Sequence, residues 1–230
     1  MQPIIQVNNL IKKYRMGNEV VSVLNGIDLQ IYPGEILSIL GTSGSGKTTF
    51  LNLVSGLERP TKGKIIIDGH NLSKISEKRM SAFRRRYIGF VFQLYNLLPA
   101  FTALENAMLP LILEGVAPRE REKKGRALLQ QVGLAERLQH KPSELSGGQR
   151  QRVSIARALI NNPRIIFADE PTGNLDSKTA EEILELLIST IRAQGQTMLM
   201  VTHDANVAGH ADRIIEMVDG QIINYEQKNT

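Results

Sequence analysis

Cysteine is absent from this chain of 230 residues, which excludes a disulfide framework and a zinc–thiolate site alike. Long apolar runs are missing too. The longest, such as AMLPLIL at residues 107–113, fall far short of the roughly 20 residues a helical bilayer crossing needs. The opening stretch MQPIIQVNNLIKKY has no basic region followed by an apolar core, so it does not read as a leader. The expectation is a chain soluble by itself and cytoplasmic. Charge of one sign is also scarce: 28 Lys and Arg against 23 Asp and Glu leave a net +5. The basic residues are scattered apart from Lys12-Lys13, Arg84-Arg85-Arg86 and Lys123-Lys124. That bias suits an anionic ligand or an anionic membrane face and is too weak to indicate nucleic acid. No low-complexity tract, internal repeat or sustained heptad run occurs. With 42% hydrophobic residues the chain can bury a sizeable core, most simply as one domain with a large inserted lobe.

Residues 1–75 read mostly as strands, in IIQVNNLIKKY, VSVLNGIDLQI, EILSIL and GKIIIDGHNL, separated by Gly, Pro, Asn and Asp. One segment differs: TTFLNLVSGL has helical spacing and ends at Gly56 before a final Leu. From about residue 76 to 160 the pattern turns helical, with SEKRMSAFRRR, ALENAMLPLILEG and PREREKKGRALLQQVGL carrying charged faces and apolar stripes. Beyond residue 164, RIIFADE, SKTAEEILELLISTIRAQG, TMLMVTHD, ANVAGHA and DRIIEMVDGQII alternate strand and helix, which implies a parallel sheet with crossover helices. Asp219-Gly220 marks a tight hairpin, and the final YEQKNT reads as a frayed tail.

Three stretches carry chemistry. GTSGSGKTT at residues 41–49 follows an apolar strand and opens a helix. Gly41, Gly44 and Gly46 let the backbone bend so that successive N–H groups face phosphate oxygens, and the helix adds the positive end of its dipole. Lys47 would reach the β- and γ-phosphates and the Thr48 hydroxyl would ligate Mg²⁺, with Thr42, Ser43, Ser45 and Thr49 completing the loop. RIIFADE then ends a buried strand at Asp169, with Glu170 at its mouth. Asp169 would hold the Mg²⁺ shell and Glu170 would orient or deprotonate an attacking water; alone, a strand ending in two acids reads equally as a surface loop. LSGGQRQRVSIARALI places Ser146 as an N-cap, followed by Gly147 and Gly148, and so offers a second anion site. By itself that stretch reads as a well-capped helix.

In their order, GTSGSGKTT, Gln93 in GFVFQLYNLLP, LSGGQ, IIFADEPTGNLD and His203 in VTHD resemble the ATPase domain of ATP-binding-cassette proteins over nearly the whole chain. The resemblance implies an α/β fold: a P-loop NTPase core with a parallel sheet, an N-terminal antiparallel β subdomain and an inserted α-helical subdomain. Residues 1–92 and 161–230 would form the core with the β subdomain, and about 93–160 the helical one. It implies Mg²⁺-dependent ATP hydrolysis in a head-to-tail homodimer, each ATP lying between the phosphate loop of one subunit and Ser146, Gly147, Gly148 and Gln149 of the other. Tyr14 would stack on adenine, although a tyrosine in an edge strand is ordinary. Gln93 would touch Mg²⁺ and the water, His203 would contact the γ-phosphate, and Asp176 would lie in the segment crossing the dimer interface. The family often has Ser-Ala-Leu-Asp there and this chain has Gly-Asn-Leu-Asp, which leaves Asp176 the firmer correspondence and Asn174 the weaker. GFVFQLYNLLPAFTALENAMLPL and ADEPTGNLDSKT are similar to the subgroup of macrolide-export and lipoprotein-release ATPases and the cell-division ATPase paired with a septal permease. A separate transmembrane permease is therefore the implied partner, with the ATPase peripheral on the inner face of the membrane and no nucleic acid. A regulatory cassette gating cell-wall hydrolases, or a non-transport cassette, uses the same ATPase. Leu94, Tyr95, Leu97, Leu98 and Phe101 either present a docking patch or line the lobe's own core.

Overall fold

The computed structural model describes residues 2–17 and 19–227. Along the chain run β1 (Ile5–Met16), β2 (Glu19–Ile31), β3 (Ile36–Leu40), α1 (Lys47–Val54), β4 (Lys62–Ile67), β5 (His70–Asn71), α2 (Glu77–Tyr87), β6 (Ile88–Phe92), α3 (Ala103–Leu113), α4 (Pro118–Gln131), α5 (Gly147–Leu159), β7 (Ile165–Asp169), α6 (Ser177–Ala193), β8 (Thr197–Thr202), α7 (Ala205–Ala208), β9 (Arg213–Val218) and β10 (Gln221–Gln227). They gather into two compact units, residues 1–84 with 195–230, and residues 85–194.

In the first unit β2, β1, β4 and β5 form an antiparallel sheet. A second set of strands places β3 between β8 and β9, parallel to both, with β10 antiparallel on β9. β8 is buried along its whole length and β3 nearly so, as expected of parallel strands covered on both faces, whose sequences read as continuous apolar runs. Asp219 and Gly220 both have positive φ, 47° and 72°, the values a two-residue hairpin demands. The sequence reading of residues 225–230 as a tail is overturned for 225–227, which pair with β9 through Tyr225↔Ile215, Glu226↔Ile214 and Gln227↔Arg213. Backbone pairing at a strand end needs no apolar side chains, so composition did not reveal it. Residues 228–230 lie outside the described residues.

In the second unit β6 and β7 pair in parallel, Phe92 opposite Asp169. α3 packs on α4 and α5, and α5 lies on β6 and α6. β6 lies inside the stretch of about residues 76–160 whose pattern reads as helical, within the residues 1–92 that the resemblance gives to the core. Its five residues IGFVF are one short apolar run after the charged α2, too short to show a period. A Cβ on Gly89 would stand 2.3 Å from the Ala158 carbonyl oxygen, so glycine is what lets this strand meet α5. Ahead of α3, Thr102 and Glu105 close a capping box. Asn106, fully buried, accepts from the Leu98 N–H and donates toward the carbonyls of Leu98, Phe101 and Thr102, fixing the loop that enters the helix.

One glycine joins the hairpin to the phosphate-type loop. The Gly220 N–H donates to the Ser45 carbonyl at 3.0 Å, its own carbonyl accepts from Asn25 N–H at 3.0 Å, and an added Cβ would stand 2.0 Å from the Val23 carbonyl oxygen. Gly220→Ala is expected to cost about 3 kcal/mol, from the left-handed backbone and the steric conflict together. Chemical denaturation should show that loss, and a parent-like midpoint would mean the hairpin gives way freely.

Candidate functional site

β3 ends at Leu40, the chain bends through residues 41–46, and α1 begins at Lys47. The bend rests on glycines whose backbones other residues cannot adopt cheaply: Gly44 and Gly46 have φ of 83° and 101°. At Gly41 the limit is space, since a Cβ would stand 2.4 Å from the Met217 carbonyl oxygen. No side chain caps α1 and its first turn carries no acidic residue. A helix N-terminus left in this way is suited to an anion. Lys47 is buried, and its Nζ donates to the carbonyls of Gly41 at 2.7 Å and Thr42 at 2.9 Å, so a buried ammonium is held at the loop by hydrogen bonds. Thr42, Ser43, Gly44 and Thr48 are exposed, while Ser45 is buried beneath the turn. The cradle therefore fits a polyphosphate.

The same unit brings His203 to this loop. Leu40 and Thr202 are opposite each other on β3 and β8, and the Gly41 N–H donates to the Thr202 carbonyl at 3.3 Å. His203, the next residue, is exposed at the strand's end. Tyr14 on β1 donates its hydroxyl to Glu58 at 2.7 Å and interacts with the Thr49 side chain. Lys12 Nζ bonds the other Glu58 oxygen at 2.6 Å and stands 4.8 Å from the Tyr14 ring centroid. Burial pushes the Tyr14 hydroxyl above the ordinary tyrosine value, helped by its bond to Glu58. Burial would raise Glu58 as well, but the bonds from Lys12 and Tyr14 outweigh it and hold the carboxyl below its usual value. Glu58 and Lys12 thus hold the Tyr14 side chain in place.

In the second unit, Gln93 follows β6 and Glu170 follows β7, so the paired strand ends set them side by side. Asp169 is the last residue of β7. Glu170 has φ of 46°, a left-handed value that costs a non-glycine residue about 1–3 kcal/mol and persists where surrounding structure enforces it. The turn after it closes with Gly173 N–H donating to the Glu170 carbonyl at 3.1 Å, and Asn174 Nδ2 donates to the Gln93 carbonyl at 2.9 Å. Asn174, the weaker correspondence in sequence, thus has a definite local task. Among the described residues no three His, Asp or Glu gather as a metal cluster.

Ser146 caps α5. Its hydroxyl accepts from the Gln149 N–H, and Gln149 Oε1 accepts from the Ser146 N–H. Gly147 is closed in by Leu175 and the Tyr95 hydroxyl, each 3.2 Å from an added Cβ, and a Cβ on Gly148 would stand 2.5 Å from Thr179 Cγ2. Asp176 caps α6, its Oδ1 accepting from the Thr179 N–H at 3.1 Å.

Two contacts were not legible in the sequence. Arg157 donates to the carbonyls of Tyr95 and Asn96, which both have positive φ, and Arg150 lies 5.2 Å from the Tyr95 ring centroid. Periodicity marks both arginines only as positions on a helix and does not say which loop they grip. The apolar segment they hold is divided: Leu94 and Leu98 are exposed at 74% and 40%, whereas Tyr95, Leu97 and Phe101 are half-buried.

A family model described as ABC transporter matches residues 24–173. The macrolide export ATP-binding/permease protein MacB of Wolinella succinogenes is 48% identical over 226 residues, which is 98% of this chain and 35% of that protein. The lipoprotein-releasing system ATP-binding protein LolD of Bacteroides fragilis is 52% identical over 203 residues, 88% of this chain and 94% of its own length. This chain therefore spans about a third of the macrolide-export relative and nearly the whole of the lipoprotein-releasing one. Among solved structures, the dimeric post-hydrolysis state of the cassette MJ0796, bound to ADP and Pi, aligns with a TM-score of 0.91 at 44% identity, covering 98% of this chain and 99% of that one.

Hydrogen bonds from Thr179, chiefly its backbone N–H, hold the exposed Asp176 carboxyl below the ordinary aspartate value. A depressed pKa means its stabilising effect is complete above the unfolded value of about 3.9 and fades as the pH falls through the lower folded value. Asp176→Ala is therefore expected to melt below the parent at neutral pH, with the gap narrowing on acidification. A constant gap from pH 7 to pH 2 would show that the cap's charge contributes nothing.

Proposed function

We propose that this chain, which belongs to the ABC transporter family, binds ATP and hydrolyses it with Mg²⁺ as a homodimer driving a separate membrane permease of the macrolide-export or lipoprotein-release type. One observation carries the assignment of residues. Each proposed catalytic group directly follows the carboxyl end of a parallel strand: residues 41–49 after β3, His203 after β8, Gln93 after β6 and Glu170 after β7. Ligands of open α/β sheets lie at that edge.

In this reading the backbone N–H groups of residues 41–49 and Lys47 hold the β- and γ-phosphates and stabilise the negative charge that builds on the leaving oxygen. Glu170 accepts the proton of the attacking water, whose line of approach Gln93 and His203 fix. Tyr14, clamped by Glu58 and Lys12, offers its ring to adenine. Mg²⁺ held by Thr48, Gln93 and Asp169 would supply charge neutralisation at the phosphates. Ser146, Gly147, Gly148 and Gln149, with Asp176, meet the nucleotide of a second copy, and the solved dimer of MJ0796 supports that arrangement.

Among the described residues no helix is long and apolar enough to cross a membrane, so on this reading the chain works at the membrane through its partner. The exposed Leu94 and Leu98 lie just after Gln93, where a docking partner would act on the site most directly. ATP closing the dimer and hydrolysis releasing it is the work delivered to the permease.

Glu170→Gln is expected to lower kcat by at least about 100-fold, to leave ATP affinity unchanged, and to accumulate an ATP-bound dimer in light scattering. Parental turnover in that variant removes Glu170 as the base. Turnover by the parent that is independent of protein concentration far below the dimerisation range removes the two-copy site.

A further inference from the structure

Gln151 sits on α5 with no solvent exposure at all. Its Nε2 donates to the Pro171 carbonyl at 2.5 Å and makes a longer bond of 3.4 Å to the Phe92 carbonyl. Phe92 is the residue before Gln93, and Pro171 is the residue after Glu170. One buried amide therefore touches the backbone of both segments that carry the proposed catalytic pair. A second tie closes the other side: Asn174 Nδ2 donates to the Gln93 carbonyl at 2.9 Å. Gly173 lies between, and a Cβ there would stand 2.8 Å from Gln93 Nε2. The side-chain amide of Gln93 is thus packed directly on the turn that follows Glu170.

The residue type is informative. The buried Pro171 carbonyl and the part-buried Phe92 carbonyl converge on one point, and a side-chain amide with two N–H donors can serve both. The site also contains a conformation in need of support, the left-handed backbone of Glu170 at φ 46°. Gln151 Oε1 is buried with no hydrogen-bond partner in the structure. A purely packing role at this position would be better filled by an apolar side chain of the same length, which would bury no orphan acceptor.

We propose that Gln151 and Asn174 are positioning residues: together they fix the Gln93 segment against the Glu170 segment, setting the geometry in which an attacking water is held. Neither touches the reacting atoms. The inference rests on the reading of Glu170 and Gln93 given above, and adds to it the parts of the chain that hold those two residues in register. It assigns α5 a task in catalysis at its buried middle, distinct from the anion-facing task of its first turn.

The test compares Gln151→Met, which keeps length and loses both donors, and Asn174→Ala, at an exposed position where folding is not at stake, with Glu170→Gln and the parent. ATP turnover, ATP affinity and thermal melting are measured on each. Misplacement of a reacting group by about 1 Å costs on the order of 100-fold in rate, so Gln151→Met should lose about 10- to 100-fold in kcat, with KM and ATP affinity held within about twofold. Asn174→Ala should lose about threefold or more in kcat, again with KM held. A merely structural role would lower the melting midpoint and leave kcat per folded molecule unchanged. Parental kcat in folded Gln151→Met overturns the proposal. If that variant does not fold, parental kcat in Asn174→Ala overturns it instead. If Glu170→Gln also turns over at the parental rate, the underlying reading has failed; if it is inert while both positioning variants are parental, this inference alone has failed.

Discussion

The bend between β3 and α1 is the constraint on which the first unit is organised. Its backbone runs through left-handed glycines and past points where a methyl group cannot fit, and it is held from outside as well as within. Gly46 stands against Leu24 and the Val23 carbonyl of β2, and Gly220 of the β9–β10 hairpin donates to Ser45. Two segments remote in sequence, β2 and the β9–β10 hairpin, thus converge on the bend of residues 41–46. The loop's shape is consequently a property of the sheet ends around it, and Lys47 inherits its position from two carbonyls of that shape. Preorganised donors of this kind need no rearrangement when phosphate charge arrives.

The same logic governs how far the sequence could be read. Features with a local signature were legible: the phosphate-type loop between strand and helix, the Ser146 cap, the Asp219-Gly220 hairpin and the largely apolar runs of β3, β7 and β8. What escaped was set by distant partners. β6 is too short to declare a period, and it becomes a strand because β7 pairs with it and Gly89 admits α5. Residues 225–227 pair with β9 despite a polar composition. Gln151 reads as one more polar residue on a helix until the strand ends bring the Phe92 and Pro171 carbonyls to it. Gly173-Asn174, a departure from the family's usual Ser-Ala, is explained by the Gln93 segment it touches: one residue leaves room for the side chain and the other bonds its carbonyl.

Several residues assigned to binding also hold the fold, which limits what a loss of activity can mean. Ser146 and Gln149 satisfy each other across the first turn of α5, and Asp176 satisfies the start of α6. An N-cap is worth roughly 1 kcal/mol, so removing Ser146 weakens the helix and the anion site together. A neutral replacement that still caps, such as Ser146→Asn, separates the two effects better than alanine does. The closeness of Gly148 to Thr179 adds a geometric link between the two helix starts, because any side chain at Gly148 would push them apart.

Three of the four described non-glycine residues with left-handed backbones in the second unit, all but Asn162, fall where the proposed chemistry is. Glu170, Tyr95 and Asn96 all have left-handed backbones, and each is held by a side chain from α5 or from the turn that follows: Arg157 on the carbonyls of Tyr95 and Asn96, Gln151 on Pro171. Strain of this kind is stable only while its restraints are intact. The exposed Leu94 lies between Gln93 and the Arg157 grip, so a partner pressing on it would act on a segment fixed at both ends. Such a segment transmits displacement instead of absorbing it, since packed interiors shift between discrete arrangements. Coupling between a docked permease and the Gln93–Glu170 pair would then follow from the restraints already present in this unit.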